Sequence, residues 1–482
     1  MHVLPGLGLH GDGYSSRFCS SGLYHHTKIS RRLLIVHGEG RSSNRTKWSN
    51  GGQTAPTGSK ESPSKLSSED GNATNVDIWD FIENIRPEIQ EIDRMVLHNM
   101  KRVQAAFREN RVGPHHFQGS TGYGHGDLGR CTLDDVMANI MGAESAAVRI
   151  QFVSGTHAIA AGLFACLRPG DELLSVAGNP YDTLEEVIGT RGDANCGNLK
   201  DFGVSYRILD LNADGTVDFE ALDTGILPNT KVALIQRSCG YALRPTLHID
   251  EIERIIKSVK RQNPDTYVIV DNCYGEFTDF CEPPAVGADL CMGSFIKNPG
   301  GTIATGGGYV AGKKELVEKA VSRMSAPGVG LDAGSVPGET LRLMYQGLYM
   351  APATVGEALK SGRLISSVFS HLGYNVMPHP GILKPWSFIT AIEMKTEEAM
   401  ISFCEAVQTQ CPIGSYVKPV PGVTAGYGDE VIFADGTFID GSTAEMSADG
   451  PIRPPFVVYC QGGFHLSQWM NVIDSWLERY AH

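Results

Sequence analysis

The chain has 482 residues, 41% of them hydrophobic and 20% charged, and a formal net charge of −13 at pH 7. That length exceeds one core and sets an expectation of about two or three domains. The acidic balance argues against a broad nucleic-acid surface, and no stretch reaches the ~18 consecutive apolar residues of a membrane span. Eleven cysteines include no Cys-x-x-Cys pair, so reduced, mostly buried thiols are expected in place of a zinc site or a disulfide framework.

Residues 1–75 stand apart. Through Lys60 there are eight Lys or Arg against two acids, Asp12 and Glu39, in a segment dense in Ser, Gly and Thr. Its one apolar run, Leu33-Leu-Ile-Val36, is too short for a secretory signal, whereas the composition fits an organellar transit peptide followed by a polar linker from Gly51. Abundant hydroxyl residues and the lack of a basic amphipathic helix favour a plastid over a mitochondrion. A disordered cytoplasmic tail is the alternative.

Folded sequence is expected from Val76. Apolar residues at helical spacing (Phe81, Ile82, Ile85, Ile89, Ile92, Met95, Val96, Met100, Val103) predict helix over 78–111, interrupted at Pro87. Five glycines from Gly119 to Gly129, around Tyr123, predict an irregular loop whose backbone can approach a ligand closely. A helix over 133–141 leads to a strand over 146–153, then to Ser154-Gly155-Thr156 and a small-residue helix over 158–167. A strand that runs through Ser-Gly-Thr into a helix presents backbone N–H groups and a positive dipole end to an anion. On its own the tripeptide is more often an ordinary turn.

Strands are next expected at 171–176, 205–209, 232–236, 267–272 and 288–292, alternating with helices over 218–222 and 249–260. Val310-Ala-Gly-Lys-Lys314 is read as the lead into a helix over 314–324. Helix over 341–372 leads to a second region with strands at 387–393, 431–433 and 456–459, helices over 396–408 and 466–480, and a polar loop over 441–455. Alternating strands and helices imply an α/β architecture, a mostly parallel sheet covered by helices, with a smaller C-terminal α+β domain. The expected divisions are a helical arm and Gly-rich loop (76–145), a large domain (146–355) and a small domain (356–482).

Ligands of such sheets collect at the carboxyl ends of the strands, and Thr156, Tyr181, Arg237, Asp271 and Lys297 all fall there. Asp271 ends a β-branched run, and Lys297 follows the short apolar segment Gly293-Ser-Phe-Ile. An acid and a lysine on neighbouring strand ends suit pyridoxal phosphate. The lysine holds the cofactor as a Schiff base, and the acid keeps the pyridine nitrogen protonated. The pair taken alone suits a structural ion pair at the sheet edge equally well. Tyr181 could lie on a cofactor ring or in a surface turn. Arg453, in the polar loop, could grip a substrate carboxylate through its planar fork or be a plain surface arginine. Arg237 could hold that carboxylate or the cofactor. His115, His116 and His125 have no compact metal-ligand spacing, so no metal is expected. A dinucleotide site would need a Gly-x-Gly-x-x-Gly turn between strand and helix, which is lacking.

The motifs Gly-Arg-x-Thr-Leu, Ser-Gly-Thr-His-Ala, Asp-Asn-x-Tyr-Gly-Glu-Phe, Gly-Ser-Phe-Ile-Lys-Asn-Pro-Gly-Gly, Ser-Ala-Asp-Gly-Pro-Ile-Arg-Pro-Pro and Tyr-x-Gln-Gly-Gly occur in this order. In them the chain from Phe81 onward resembles the methionine gamma-lyase or aluminium-resistance family, a branch of the fold-type I pyridoxal-phosphate enzymes. The resemblance implies a carbon–sulfur lyase of amino acids, with an aminotransferase, a racemase or a non-catalytic protein as other outcomes of the fold. It implies Lys297 as the cofactor lysine and Asp271 as the pyridinium partner. Ser294, Gly155 and Thr156 would be at the phosphate and Tyr181 against the ring. Tyr123 would reach the site of a neighbouring subunit in a homodimer or homotetramer and could assist at the leaving group. Ile296 stands where the classical enzymes have Thr, and Tyr123 is followed by Gly124-His125 instead of the usual Tyr-x-Arg pair.

Overall fold

Two helices, Ile78–Asn84 and Arg86–Glu109, open the described part of the chain. The computed structural model describes residues 77–480 except 383 and 385, so the expected targeting segment lies outside the described residues. Pro87 falls in the first turn of the second helix, where its missing N–H is one that no intrahelical carbonyl would have received. The interruption read in the sequence is therefore a helix start. Ile92, Met95, Val103 and Ala106 form the buried stripe of this helix, in one core cluster with Leu341, Leu348 and Val355 of the long helix Gly338–His371.

Seven strands build the large sheet: β1 (Ser145–Arg149), β2 (Glu172–Ser175), β3 (Ser205–Ile208), β4 (Thr230–Gln236), β5 (Tyr267–Asp271), β6 (Leu290–Ser294) and β7 (Gly308–Gly312). Their order is β1-β7-β6-β5-β4-β2-β3, and β7 alone runs antiparallel to its neighbours. This strand occupies the place read as the lead into a helix. Its terminal glycines disguised it. A Cβ on Gly308 would come 2.9 Å from the Cβ of Phe152, and one on Gly312 would come 2.3 Å from the Asp289 carbonyl oxygen. Close packing, not a turn, requires them. The first strand is also shorter than expected, ending at Arg149 before the turn that leads to Ser154.

The small sheet has β8 (Val376–Met377), β9 (Ile389–Glu393), β10 (Val431–Ala434), β11 (Ser447–Pro451) and β12 (Val457–Gln461). The order is β10-β11-β12-β9-β8, antiparallel throughout. Strand β11 lies inside the stretch read as polar loop. Its composition, Ser-Ala-Asp-Gly-Pro, lacks any β signal, yet it is paired on both sides. Alternation explains how it fits. Ile432, Ala448, Val458 and Cys460 point into a core shared with Phe403 and Trp469, so Phe433, Asp449, Tyr459 and Gln461 fall on the opposite face.

The helix Gly338–His371 joins the two sheets. Leu341 to Leu359 belong to the core cluster that contains Val148 and Ala311 of the large sheet, and Leu364 to Phe369 belong to the core of the small sheet. No helix among the described residues is long and apolar enough to cross a membrane.

Candidate active site

A cavity of about 420 Å³ lies where the carboxyl ends of β5 and β6 meet the open face of the small sheet. Thr156, Tyr181, Asp271 and Lys297 line it from the first side, and Phe433, Asp449, Tyr459 and Gln461 from the second. A larger groove of about 580 Å³, between Phe164 and Arg323, holds none of the expected site residues.

Strand β5 delivers Asp271 to the cavity floor, 2% exposed. The backbone N–H of Cys273 donates to its Oδ1 at 3.1 Å. Burial pushes the carboxyl up to about 6, with the Cys273 hydrogen bonds, Lys297 and Arg244 pulling the other way. A buried carboxylate so weakly compensated favours a cation beside it. Lys297 caps the short turn Asn298–Gly300. Its Nζ donates to the Tyr274 hydroxyl and sits 3.8 Å from the centroid of that ring. Burial works against the charge on Lys297 but is outweighed by Tyr274 and Cys273, so the amine is held in its protonated form. Tyr274 reaches this place through a left-handed backbone, φ 69, a conformation that costs a non-glycine residue roughly 1–3 kcal/mol.

The anion end is built by the helix Gly155–Cys166. Ser154 caps it, accepting from the His157 N–H at 3.1 Å, and the N–H groups of Gly155 and Thr156 have no intrahelical acceptor. A Cβ on Gly155 would meet the Ser294 Cβ at 3.0 Å and its backbone nitrogen at 3.1 Å. Only glycine lets the helix end approach β6 this closely. Thr156 Oγ1 and the Tyr181 hydroxyl are 2.7 Å apart, and burial raises that hydroxyl well above its ordinary pKa. The Tyr181 N–H donates to Gln236 Oε1 at 2.7 Å. Gly155, Thr156, Tyr181, Asp271, Ser294 and Lys297 thus converge on one cavity.

Three expected residues do not join them. Arg237 is 1% exposed, and its guanidinium is already engaged. It donates to Asn272 Oδ1 at 3.0 Å, to the Gly275 carbonyl at 2.8 Å and to the Leu247 carbonyl at 3.3 Å, with Glu282 at 3.7 Å. The strand-end reading is corrected here: Arg237 braces the segment after Asp271 from behind and does not line the cavity. Arg453 does not line it either, because its Nη1 pairs with Asp429 Oδ2 at 2.7 Å at a half-exposed site beyond β11. Tyr123 is 78% exposed, stacked on His125 with ring centroids 5.6 Å apart, and outside the cavity of its own chain.

The methionine gamma-lyase family model matches residues 77–481. The chain belongs to that family. It is 46% identical to the Bacillus subtilis protein YnbB over 402 residues, which span 83% of this chain and 94% of YnbB. It is similar to the solved structure of a carbon–sulfur lyase involved in aluminium resistance from Clostridium novyi. The TM-score is 0.79 at 42% identity, covering 83% of this chain and 94% of that one. A cystathionine gamma synthase from Xanthomonas oryzae has a TM-score of 0.51 at 19% identity, covering 73% and 85%; that likeness is of the fold alone, the fold-type I arrangement of a mostly parallel sheet with a smaller domain.

Several cavity residues carry no role in the sequence reading. Tyr274, Asp449 and Gln461 stand inside family motifs quoted above, Asp-Asn-x-Tyr-Gly-Glu-Phe, Ser-Ala-Asp-Gly-Pro and Tyr-x-Gln-Gly-Gly, and those motifs were the available signal. Tyr241 and Tyr427 had none. Their work depends on which face of a strand or loop meets the second domain, and sequence spacing does not carry that information.

Proposed function

We propose that the protein is a pyridoxal-phosphate-dependent carbon–sulfur lyase acting on a sulfur-containing amino acid. The observation that carries this reading is the convergence of Lys297, the buried Asp271 and the Gly155–Thr156 helix end on one cavity. The residues fit the cofactor. A floor carboxyl raised by burial awaits a cationic partner, the glycine-tight cleft between Gly155 and Ser294 suits a phosphate, and one amine lies between them. Membership of the family and likeness to a carbon–sulfur lyase support the choice of chemistry.

When bound, pyridoxal phosphate supplies an electron sink for charge released at the substrate Cα. Asp271 would hold the proton at the pyridine nitrogen. Gly155 and Thr156 N–H, with the Ser294 and Thr156 hydroxyls, would bind phosphate oxygens, and Tyr181 would orient the ring. Lys297 would hold the cofactor, and its Nζ, beside the substrate Cα, would take the Cα proton, a transfer typically worth ~10²–10⁴-fold. Tyr274, hydrogen-bonded to that amine, would steer it. Loss of the sulfur group from Cβ or Cγ yields a thiol and, after hydrolysis, a 2-oxo acid and ammonia.

Screening sulfur amino acids for paired release of thiol and 2-oxo acid tests the reading. Equal amounts of both, abolished in Lys297→Ala, are expected. Cofactor binding with transamination or racemisation and no thiol would overturn it. The exposed Tyr123 supports a shared site in a homodimer or homotetramer, where it would meet the cofactor phosphate of a second copy. A strictly monomeric active enzyme in sedimentation would contradict that. The hydroxyl-rich N-terminal segment supports delivery to a plastid, which a fluorescent fusion of the full chain tests.

A further inference from the structure

Cleavage of a carbon–sulfur bond leaves an electron pair on the sulfur, and an alkylthiolate departs far more easily when an acid protonates it as it leaves. The groups placed so far are committed elsewhere. Lys297 is assigned to the Cα proton, Tyr274 is hydrogen-bonded to Lys297 Nζ, and the Tyr181 hydroxyl lies 2.7 Å from Thr156 Oγ1 at the anion end. Tyr123 stands outside the cavity of its own chain.

A second set of proton-bearing groups lines the same cavity. Tyr427, in the loop before β10, and Tyr241, in the loop after β4, both face it, with ring centroids 5.6 Å apart. Their hydroxyls are hydrogen-bonded, and that of Tyr241 is also hydrogen-bonded to the Asp449 carboxyl on β11. Gln461 Nε2 donates to Asp449 Oδ2 at 2.7 Å and steadies the far end of the row. Burial pushes the Asp449 carboxyl up to about 7, with Tyr241, Lys297 and Gln461 favouring ionisation and Asp435 opposing it, so it holds and releases a proton near neutrality. Burial, Asp449 and Tyr274 raise the Tyr427 hydroxyl above its ordinary pKa, while Lys297 and the Tyr241 hydrogen bond favour its anion. Tyr427 therefore keeps its proton at rest, and the charge left after donation has a cation and a donor facing it.

We propose that Tyr427 is the acid that protonates the departing sulfur, and that Tyr241 and Asp449 restore its proton. This deepens the lyase reading and rests on it. The Cβ–S or Cγ–S bond breaks with its electron pair passing to sulfur, as the pair freed on the neighbouring carbon forms a carbon–carbon double bond. The sulfur takes the proton of the Tyr427 hydroxyl and leaves as a neutral thiol. The Tyr427 oxygen then takes the Tyr241 proton, Tyr241 takes that of the Asp449 carboxyl, and Asp449 regains one from water once the thiol has left. Tyr427 is the catalytic residue of this row, and Tyr241 and Asp449 act through it.

The test uses the cofactor-loaded full chain with S-ethyl-L-cysteine and S-phenyl-L-cysteine, or their homocysteine counterparts where elimination is at Cγ. An arylthiolate leaves as a stable anion and needs no acid, whereas an alkylthiolate does. Tyr427→Phe, which keeps the ring against Tyr241, should slow ethanethiol release by about 10²-fold and thiophenol release by no more than about threefold. L-Norleucine, which cannot be cleaved, should bind Tyr427→Phe as it binds the wild type in calorimetry, and its Cα proton should exchange with deuterated solvent at an unchanged rate. Tyr241→Phe, which cuts the row behind Tyr427, should show the same selectivity at smaller size, and it carries the test if Tyr427→Phe does not fold. Equal slowing of both thiols, or selective slowing in Tyr123→Phe but not in Tyr427→Phe, would overturn the proposal. Wild-type protein that releases neither thiol would overturn the lyase reading and the proposal with it, so the two failures are separable.

Discussion

The large-sheet wall and the small-sheet wall of the cavity are made in different ways. In the first, parallel strands each end at the site, so Asp271, Ser294 and Lys297 arrive one after another from consecutive segments of the chain. In the second, an antiparallel sheet offers a face, and alternate residues of β10, β11 and β12 reach the cavity while their neighbours enter the core behind. A strand end gathers backbone N–H groups and fixed charges, which suits a cofactor that never leaves. A sheet face holds side chains that differ by position, which suits a ligand that changes. The difference predicts that variants of the first wall lose the cofactor, whereas variants of the second keep it and alter the substrate.

The largest expected effect is at Lys297. Lys297→Ala should lower 2-oxo acid release by ~10²–10⁴-fold or more, and a variant with near-normal turnover would remove the large-sheet wall from the chemistry. Next is Arg237, behind that wall. Arg237→Ala leaves Asn272 Oδ1 and the carbonyls of Gly275 and Leu247 without their buried donor, while Glu282 keeps Arg102, and should cost about 3–5 kcal/mol in denaturant unfolding. A fully stable variant with impaired cofactor binding would return Arg237 to the site.

Asp271 gives a pH-dependent test. Its folded pKa of about 6 lies above the ordinary carboxylate value. The cofactor-free fold therefore gains stability as pH falls through about 6, because proton uptake relieves the buried charge. Cofactor binding moves the opposite way, since a protonated Asp271 no longer favours the pyridinium. Spectroscopic titration should show affinity falling below pH 6 in the wild type. The same curve in Asp271→Asn should lack that Asp271-linked fall, and an identical fall in both would contradict the assignment. Gly155→Ala should weaken cofactor affinity by about tenfold, or ~1.4 kcal/mol, as the added Cβ separates the helix end from Ser294. The smallest effect on the cofactor is expected across the cavity. Phe433→Ala should leave the bound-cofactor absorbance unchanged and raise KM, and loss of the cofactor would erase the distinction between the walls.

The same contrast governs what the sequence made legible. Asp271, Lys297 and the Ser154-Gly155-Thr156 turn were legible as neighbours in one cavity because a βαβ pattern brings strand ends to one edge of the sheet whatever the rest of the chain does. Arg237 met that rule as well and was misassigned. Its direction depends on Asn272, Glu282 and the Leu247 carbonyl, and no periodicity reports those contacts. Strand β7 hid behind glycines required by packing against Phe152 and Asp289, and β11 behind residues chosen for a cavity and not for a sheet. The polar residue Asp449 is what made its strand look like a loop. The fold was therefore most legible where local pattern and tertiary role agree. It was least legible where a residue serves the site at the expense of its own element.

The central claim, that Lys297 carries the cofactor in a cavity floored by Asp271, has a direct measurement. The purified protein is loaded with pyridoxal phosphate, reduced with borohydride and digested, and the modified lysine is located by mass spectrometry. A single stoichiometric modification at Lys297, absent from Lys297→Ala, is predicted. Stoichiometric modification at another lysine, or none at all under saturating cofactor, would contradict the account.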